Sequence, residues 1–399
     1  MICRELYLKK LIGFKEKDLI KVITGVRRCG KSTLFKLYQQ YLRETGILKE
    51  QIQSINLEDI AYEELVDYRK LYKYITERLV ADKMNYIFLD EIQNVPQFEK
   101  AVDSLYIKDN VDLYVTGSNA HLLSGELATL LSGRYVEIKM LPLSFQEYLS
   151  AEDNSGVSIE RRYVEYLENS SFPYALQLKD QPDHLQDYLQ GIMDSIILKD
   201  VVARKNISDI DGLKKVIRFL FDNIGNVTSI KRISDVMKSE GYTLAPQTVE
   251  NYISALVDSF ILYPAQRYDI KGKEYLRFGE KYYVIDIGLR YLLLGKKGGD
   301  TGHILENIVY LELLRRGYSV YIGKVNSEEV DFVAVNAKGT EYYQVAQTVR
   351  SDVTLLRELR PLENIRDHNP KFLLTLDNDP EVSYNGIRQL NVLDWLSEL

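Results

Sequence analysis

The chain has 399 residues, two cysteines and a formal net charge of −7. That charge excludes a whole-molecule basic field for nucleic acid or an acidic membrane surface, so any basic patch is local. The length exceeds one ordinary core and implies two or three domains, which the 45% hydrophobic content can fill.

No apolar run reaches the length of a membrane span. The start, Met1-Ile2-Cys3-Arg4-Glu5-Leu6, has no signal-peptide pattern. The four histidines and the cysteines Cys3 and Cys29 show no metal-ligand spacing. Cys29 lies in a tight loop that a disulfide would distort, so a reducing, cytoplasmic setting is expected.

Leu19 to Ile23 reads as a buried strand, and Thr33 to Tyr38 opens a helix. Between them, Gly25, Gly30, Lys31 and Ser32 fit G-x-x-x-x-G-K-[ST]. Glycines let the backbone turn tightly and approach a pyrophosphate, and inward N–H groups with a helix N-terminus attract it. The expected phosphate site is Gly25, Arg27, Arg28, Cys29, Gly30, Lys31, Ser32 and Thr33. Lys31 would reach the β- and γ-phosphates, and the Ser32 hydroxyl would hold magnesium. Arg27 and Arg28 are either solvated or touch a partner.

Ser54–Glu58 reads as a second strand and 59–73 as helix. Asn85 to Leu89 is a third, buried strand ending in Asp90 and Glu91. After a phosphate loop, Asp90 would bind magnesium opposite Ser32, and Glu91 would polarise the attacking water. Asp112 to Thr116 is a fourth strand, followed by Gly117, Ser118 and Asn119. Ser118 and Asn119 either sense the γ-phosphate or simply form a turn. Arg134 precedes a fifth strand, Tyr135–Leu141. It is either a transition-state arginine at the active edge of the sheet or an ordinary salt-bridged side chain.

The order of Gly25–Ser32, Leu89-Asp90-Glu91-Ile92-Gln93, Thr116-Gly117-Ser118-Asn119, Leu131-Ser132-Gly133-Arg134-Tyr135 and Leu141-Pro142-Leu143-Ser144-Phe145 resembles a prokaryotic AAA-type ATPase family. Its ATPase core is followed by a domain of unknown function. The resemblance implies ATP as the nucleotide, which the phosphate motifs themselves do not read. It also implies a helical lid, and an arginine such as Arg134 acting on its own or a neighbour's nucleotide in a homo-oligomer.

Ser144-Phe145-Gln146-Glu147 is a capping box that starts a helix. The family has glycines before Phe172-Pro173, where this chain has Ser170 and Ser171. It also carries the pair Asp200 and Arg204, whose spacing equally suits a plain intrahelical ion pair. Helices at 213–223, 230–239 and 246–262, with a hairpin over 268–278, look like a winged helix. The third helix presents Gln247, Thr248, Glu250, Asn251 and Ser254 and no basic residue, so DNA and protein partners both stay open.

From residue 301, one helix (304–316), three strands (319–322, 330–335, 341–346), a helix (355–362) and two strands (372–376, 387–392) resemble the restriction-endonuclease-like fold. Glu306 and Asp331 match its carboxylates, but Gln344 and Ala346 replace its glutamate and lysine. Lys324 and Lys338, on turns, are the lysines available to migrate. A domain without efficient cleavage is therefore expected.

The expected fold class is α/β. It comprises a P-loop NTPase core (1–142), a helical lid (143–210), a winged helix (211–280) and a nuclease-like α/β domain (281–399). The expected function is magnesium-dependent ATP hydrolysis coupled to DNA- or protein-binding domains, with no membrane partner. The alternatives are a slow nucleotide switch or scaffold and an ATP-gated nuclease.

Overall fold

The strand that feeds the phosphate loop, β1 (Ile20–Thr24), is buried along its whole length. A parallel strand inside a sheet must be apolar on both faces, which explains its uninterrupted run. The computed structural model describes residues 2–398 apart from 121–130, 132, 152–155, 203–204, 206, 276–278 and 297–299. The chain forms two units. Met1–Pro142 with Asp258–Phe260 is the first, and Leu143–Val257 with Ile261–Leu399 the second.

In the first unit β1 joins β2 (Ile52–Asn56), β3 (Asn85–Asp90), β4 (Val111–Gly117) and β5 (Tyr135–Lys139). The order is β2-β3-β4-β1-β5, and every pairing is parallel. All carboxyl ends therefore line one edge, where ligands of open parallel sheets bind. Helix α1 (Glu5–Gly13) precedes β1. Helix α2 (Lys31–Glu44) starts after Gly30, whose φ of +106° turns the chain into it. It packs Phe35 on Phe88 (ring centroids 5.0 Å apart) and Tyr38 on Tyr114 (5.2 Å). The helix expected over 59–73 is broken. A 3-10 segment covers Ile60–Val66, and α3 (Tyr68–Thr76) begins only after Asp67. The Asp67 carboxylate accepts the Arg69 and Lys70 N–H groups, so it caps a new helix and ends the old segment. Helix α4 (Phe98–Tyr106) leads into β4.

The second unit opens with α5 (Phe145–Ser150), capped reciprocally by Ser144 and Glu147 at 2.9 Å each way. Helices α6 (Ile159–Asn169) and α7 (Pro182–Ser195) follow, and α7 runs into a π-helical turn over Ile196–Val202. Asp200 is buried there; Arg204 lies outside the described residues. Ser170 adopts φ +72°, a conformation that favours glycine, and Ser171 donates both its N–H and its hydroxyl to Asp286.

Three helices come next, α8 (Ile210–Asp222), α9 (Ile230–Ser239) and α10 (Pro246–Asp258). The last ends four residues short of the expected 262. Phe260 turns the chain with φ +59°, and β6 (Leu262–Ala265) begins.

Strands β7 (Arg267–Asp269) and β8 (Glu274–Tyr275) form the expected hairpin, whose last residues, 276–278, lie outside the described residues. β7 also pairs in parallel with a strand of the carboxyl-terminal sheet, so the hairpin extends that sheet. Instead, β6 pairs with β9 (Lys281–Val284). The boundary expected at residue 280 is thus crossed by hydrogen bonds.

Helices α11 (Ile287–Leu294) and α12 (Thr301–Arg315) precede β10 (Ser319–Val325), β11 (Glu328–Asn336) and β12 (Gly339–Ala346). Helix α13 (Asp352–Glu363) and strands β13 (Lys371–Thr375), β14 (Val382–Tyr384) and β15 (Ile387–Asn391) complete a mixed eight-stranded sheet. Its order is β14-β15-β13-β12-β11-β10-β7-β8.

Candidate active site

The carboxyl edge of the first sheet gathers the loop after β1, the end of β3 and the end of β4. In the loop, a Cβ on Gly25 would stand 2.2 Å from the Met140 carbonyl oxygen, so only glycine fits. Lys31 is 4% exposed. Its ammonium donates to the Gly25 and Val26 carbonyls at 2.9 and 3.2 Å and lies 3.7 Å from Glu91 Oε1.

The Asp90 carboxylate accepts hydroxyl hydrogen bonds from Ser32 and Thr116. Burial pushes its carboxyl up from the ordinary value despite those two donors. The same Thr116 hydroxyl accepts the Glu91 N–H at 2.9 Å, so one side chain fixes both carboxylate residues.

Glu91 sits in left-handed backbone, φ +54°, a conformation costly for a side chain other than glycine. Its carboxylate accepts from the Gln93 amide and from the Ser118 hydroxyl. Burial would raise its pKa, but Lys31, Gln93, Arg27 and Ser118 together outweigh burial and hold it below the ordinary value. The pair is therefore differentiated, with Asp90 pushed up and Glu91 kept ionised.

The structure thus brings Gly25, Gly30, Lys31, Ser32, Asp90, Glu91 and Ser118 to one place. Asn119, buried beside Ser118, lies two residues past the end of β4, and Thr33 is half-buried in the first turn of α2. Arg27 pairs with Glu58 at 3.1 Å, whereas Arg28 is exposed. Cys29 is fully buried, and burial raises its thiol pKa.

Arg134 is the exception. It precedes β5, and its carbonyl accepts the N–H of Ile20, the first residue of β1. That places it at the amino-terminal edge of the sheet, a strand's length of roughly 13 Å from the phosphate loop. There it pairs with Asp103 at 2.6 Å, so it is not on the active edge of its own sheet.

Two residues at the site have roles that the sequence did not assign. Thr116 is one, although it lies in a motif stretch. Arg4 is the other: it is 2% exposed, and its guanidinium donates to the Cys29 carbonyl at 2.8 Å. It also donates to the carbonyls of Leu141 at 2.6 Å and Pro142 at 3.2 Å. It therefore braces the phosphate loop against the segment after β5.

Residues 17–149 match a family described as an AAA domain, and residues 160–300 match a domain of unknown function, DUF8612. An uncharacterized protein of Haemophilus influenzae is 43% identical over 399 residues, covering 99% of this chain and 98% of that one. The chain belongs to their family, an AAA P-loop domain followed by DUF8612. A second relative, an uncharacterized protein of Methanocaldococcus jannaschii, is 30% identical over 382 residues, 90% of this chain and 80% of that one. The Walker-type ATPase of Pyrococcus abyssi shares the fold, with a TM-score of 0.51, 14% identity and coverage of 73% of this chain and 96% of that one. Family membership implies nucleotide binding by the AAA domain. Among the described residues no helix is long and apolar enough to cross a membrane.

Proposed function

We propose that the chain binds ATP with magnesium and hydrolyses it, and that turnover drives conformational change in the carboxyl-terminal unit. The observation that carries this reading is the shared Thr116 hydroxyl. It locks Asp90, bonded to Ser32, beside Glu91, bonded to Ser118.

In this reading the loop amides from Gly25 to Thr33 and the Lys31 ammonium hold the phosphates. Lys31 must leave the Gly25 and Val26 carbonyls to do so. The Ser32 hydroxyl and Asp90 carboxylate are hard oxygen donors, the set that suits magnesium, and they would hold the ion. The ion, when bound, neutralises phosphate charge. Glu91 orients and polarises the attacking water, and with Lys31 drawn to phosphate its carboxylate keeps the Gln93 and Ser118 donors that favour the ionised form. Ser118 and Asn119 face the γ-phosphate. Arg134 serves a neighbouring copy's nucleotide, because its place on the opposite edge is unsuited to its own.

Residues 143–210 act as the lid, 211–280 as a winged helix and 281–399 as a nuclease-like domain without cleavage. The exposed positions of α10 include Gln247, Glu250, Asn251 and Ser254, with Gln247 donating to Glu250 at 3.2 Å. A face with a carboxylate and no basic side chain favours a protein partner over duplex DNA.

The test is magnesium-dependent ATP turnover at a series of protein concentrations, with and without DNA. Turnover that needs magnesium supports the reading. Tight ATP binding without turnover under every condition would leave a nucleotide switch.

A further inference from the structure

A cleft of about 740 Å3 in the second unit is lined by five carboxylates, Glu306, Glu328, Glu329, Asp331 and Glu358. Such a cluster on a sheet that resembles a nuclease fold implies a divalent metal held by Glu306, Asp331 and the residue at position 344. The side chains do not fit that role. Glu306 Oε1 accepts the Lys281 ammonium at 2.9 Å and the Tyr283 hydroxyl. Lys281 also meets Glu329 Oε1 at 2.7 Å and is itself buried. The Gln344 carbonyl oxygen faces the Asp331 N–H at 3.4 Å, and its amide donates to Glu358 at 2.9 Å. Asp331 Oδ2 accepts the Val345 N–H at 2.8 Å. Among the described residues no three His, Cys, Asp or Glu side chains converge to hold a metal ion.

We infer that the Lys281 ammonium is a fixed internal cation that takes the place of a divalent metal in this cleft. A buried carboxylate such as Glu306 needs positive charge beside it to remain ionised, and Lys281 is the largest influence that keeps it so against burial. A metal supplies that charge from solution; a lysine on β9 supplies it from the chain. Burial alone would drive the ammonium towards neutrality, but Glu306, Asp331 and Glu329 outweigh burial and hold it charged. The ammonium and a metal cannot share Glu306 Oε1, which already has two donors. Neither Lys324 nor Lys338 has this position. Lys338 is exposed on a turn, and Lys281 reaches the cluster from a strand that precedes Glu306 by 25 positions.

The test is manganese binding to the full-length, nucleotide-free protein, followed by electron paramagnetic resonance. The parental protein and Asp331→Asn should bind the same amount of manganese at about millimolar concentration. Lys281→Met should gain one equivalent, and Lys281→Met combined with Asp331→Asn should lose it again. Lys281→Gln, which keeps a neutral donor, is the second variant should the methionine protein not fold. Manganese bound by the parental protein and lost in Asp331→Asn would overturn the inference. So would manganese-dependent DNA cleavage abolished by Lys281→Gln, which would make the lysine catalytic. A folded Lys281→Met or Lys281→Gln that gains no manganese would also overturn it.

Discussion

The Lys31 ammonium lies 3.7 Å from the Glu91 carboxylate, at a hydrogen-bonded site on two loop carbonyls. The cation expected to take phosphate is thus held by the carboxylate expected to activate water. Binding of a nucleotide would exchange one anion for another at Lys31 and release Glu91 for its own role.

Thr116 is the hinge of this arrangement. Thr116→Val removes the donor to Asp90 and the acceptor of the Glu91 N–H while keeping the shape. Turnover should fall by about 10- to 100-fold with a smaller change in ATP affinity. Because two buried groups lose a partner, stability should also drop by about 1–3 kcal/mol. Steady-state kinetics with thermal melting checks this. Unchanged turnover would show that the hydroxyl does not position Glu91.

Arg4 should couple the loop to the segment after β5. Arg4→Lys keeps the charge but loses the fork that spans the Cys29, Leu141 and Pro142 carbonyls. ATP affinity should weaken by about tenfold, a change of roughly 1.4 kcal/mol. Titration calorimetry reads it directly. Parental affinity in a folded Arg4→Lys protein would make the brace irrelevant to nucleotide.

Much of this site was legible in the sequence, because a phosphate loop is local: eight neighbouring residues carry their own geometry. The ends of β3 and β4 were legible as apolar runs meeting polar residues. Thr116 was not, because its role depends on register. Leu89 pairs with Val115, which sets Asp90 beside Thr116, and no single strand reveals that. Arg4 and Lys281 act across 25 or more positions, beyond the reach of motif spacing. The edge on which Arg134 lies was not legible for a related reason: the motif gives its neighbours but not the edge of the sheet. In the second unit the hairpin of β7 and β8 and the strands β10 to β13 and β15 were readable one by one, whereas β6, β9 and β14 were not. Hydrophobic alternation does not name a partner sheet, so the join of β7 to β10 was not readable.

Arg134 pairs with Asp103 at the amino-terminal edge, with 46% of its side chain exposed. If it serves a neighbour, specific ATPase activity should rise with protein concentration. Arg134→Ala should lower turnover at high concentration and leave ATP affinity within about twofold. Activity independent of concentration from a proven monomer would exclude the role in trans.

Asp209 gives a pH-dependent prediction for stability. The Tyr242 hydroxyl first, and then the Gly212 N–H, hold its carboxyl below the ordinary value. A depressed folded pKa contributes stability that is present above the unfolded value, about 3.9, and lost as pH falls through the folded one. Asp209 also caps α8. Asp209→Ala should cost about 1 kcal/mol at pH 7. The gap between the two proteins should shrink below about pH 4. Denaturant melts at both pH values check the sign, and a gap that widens in acid would contradict it.

The central claim is that Glu91 activates water at a site where Lys31, Ser32 and Asp90 hold magnesium-ATP. Glu91→Gln keeps the size of the side chain and removes the carboxylate. The decisive measurement is ATP affinity and turnover of this variant beside the parental protein, in the presence of magnesium. The account predicts affinity within a few-fold and turnover lowered by about 100-fold or more. Hydrolysis at the parental rate would contradict it.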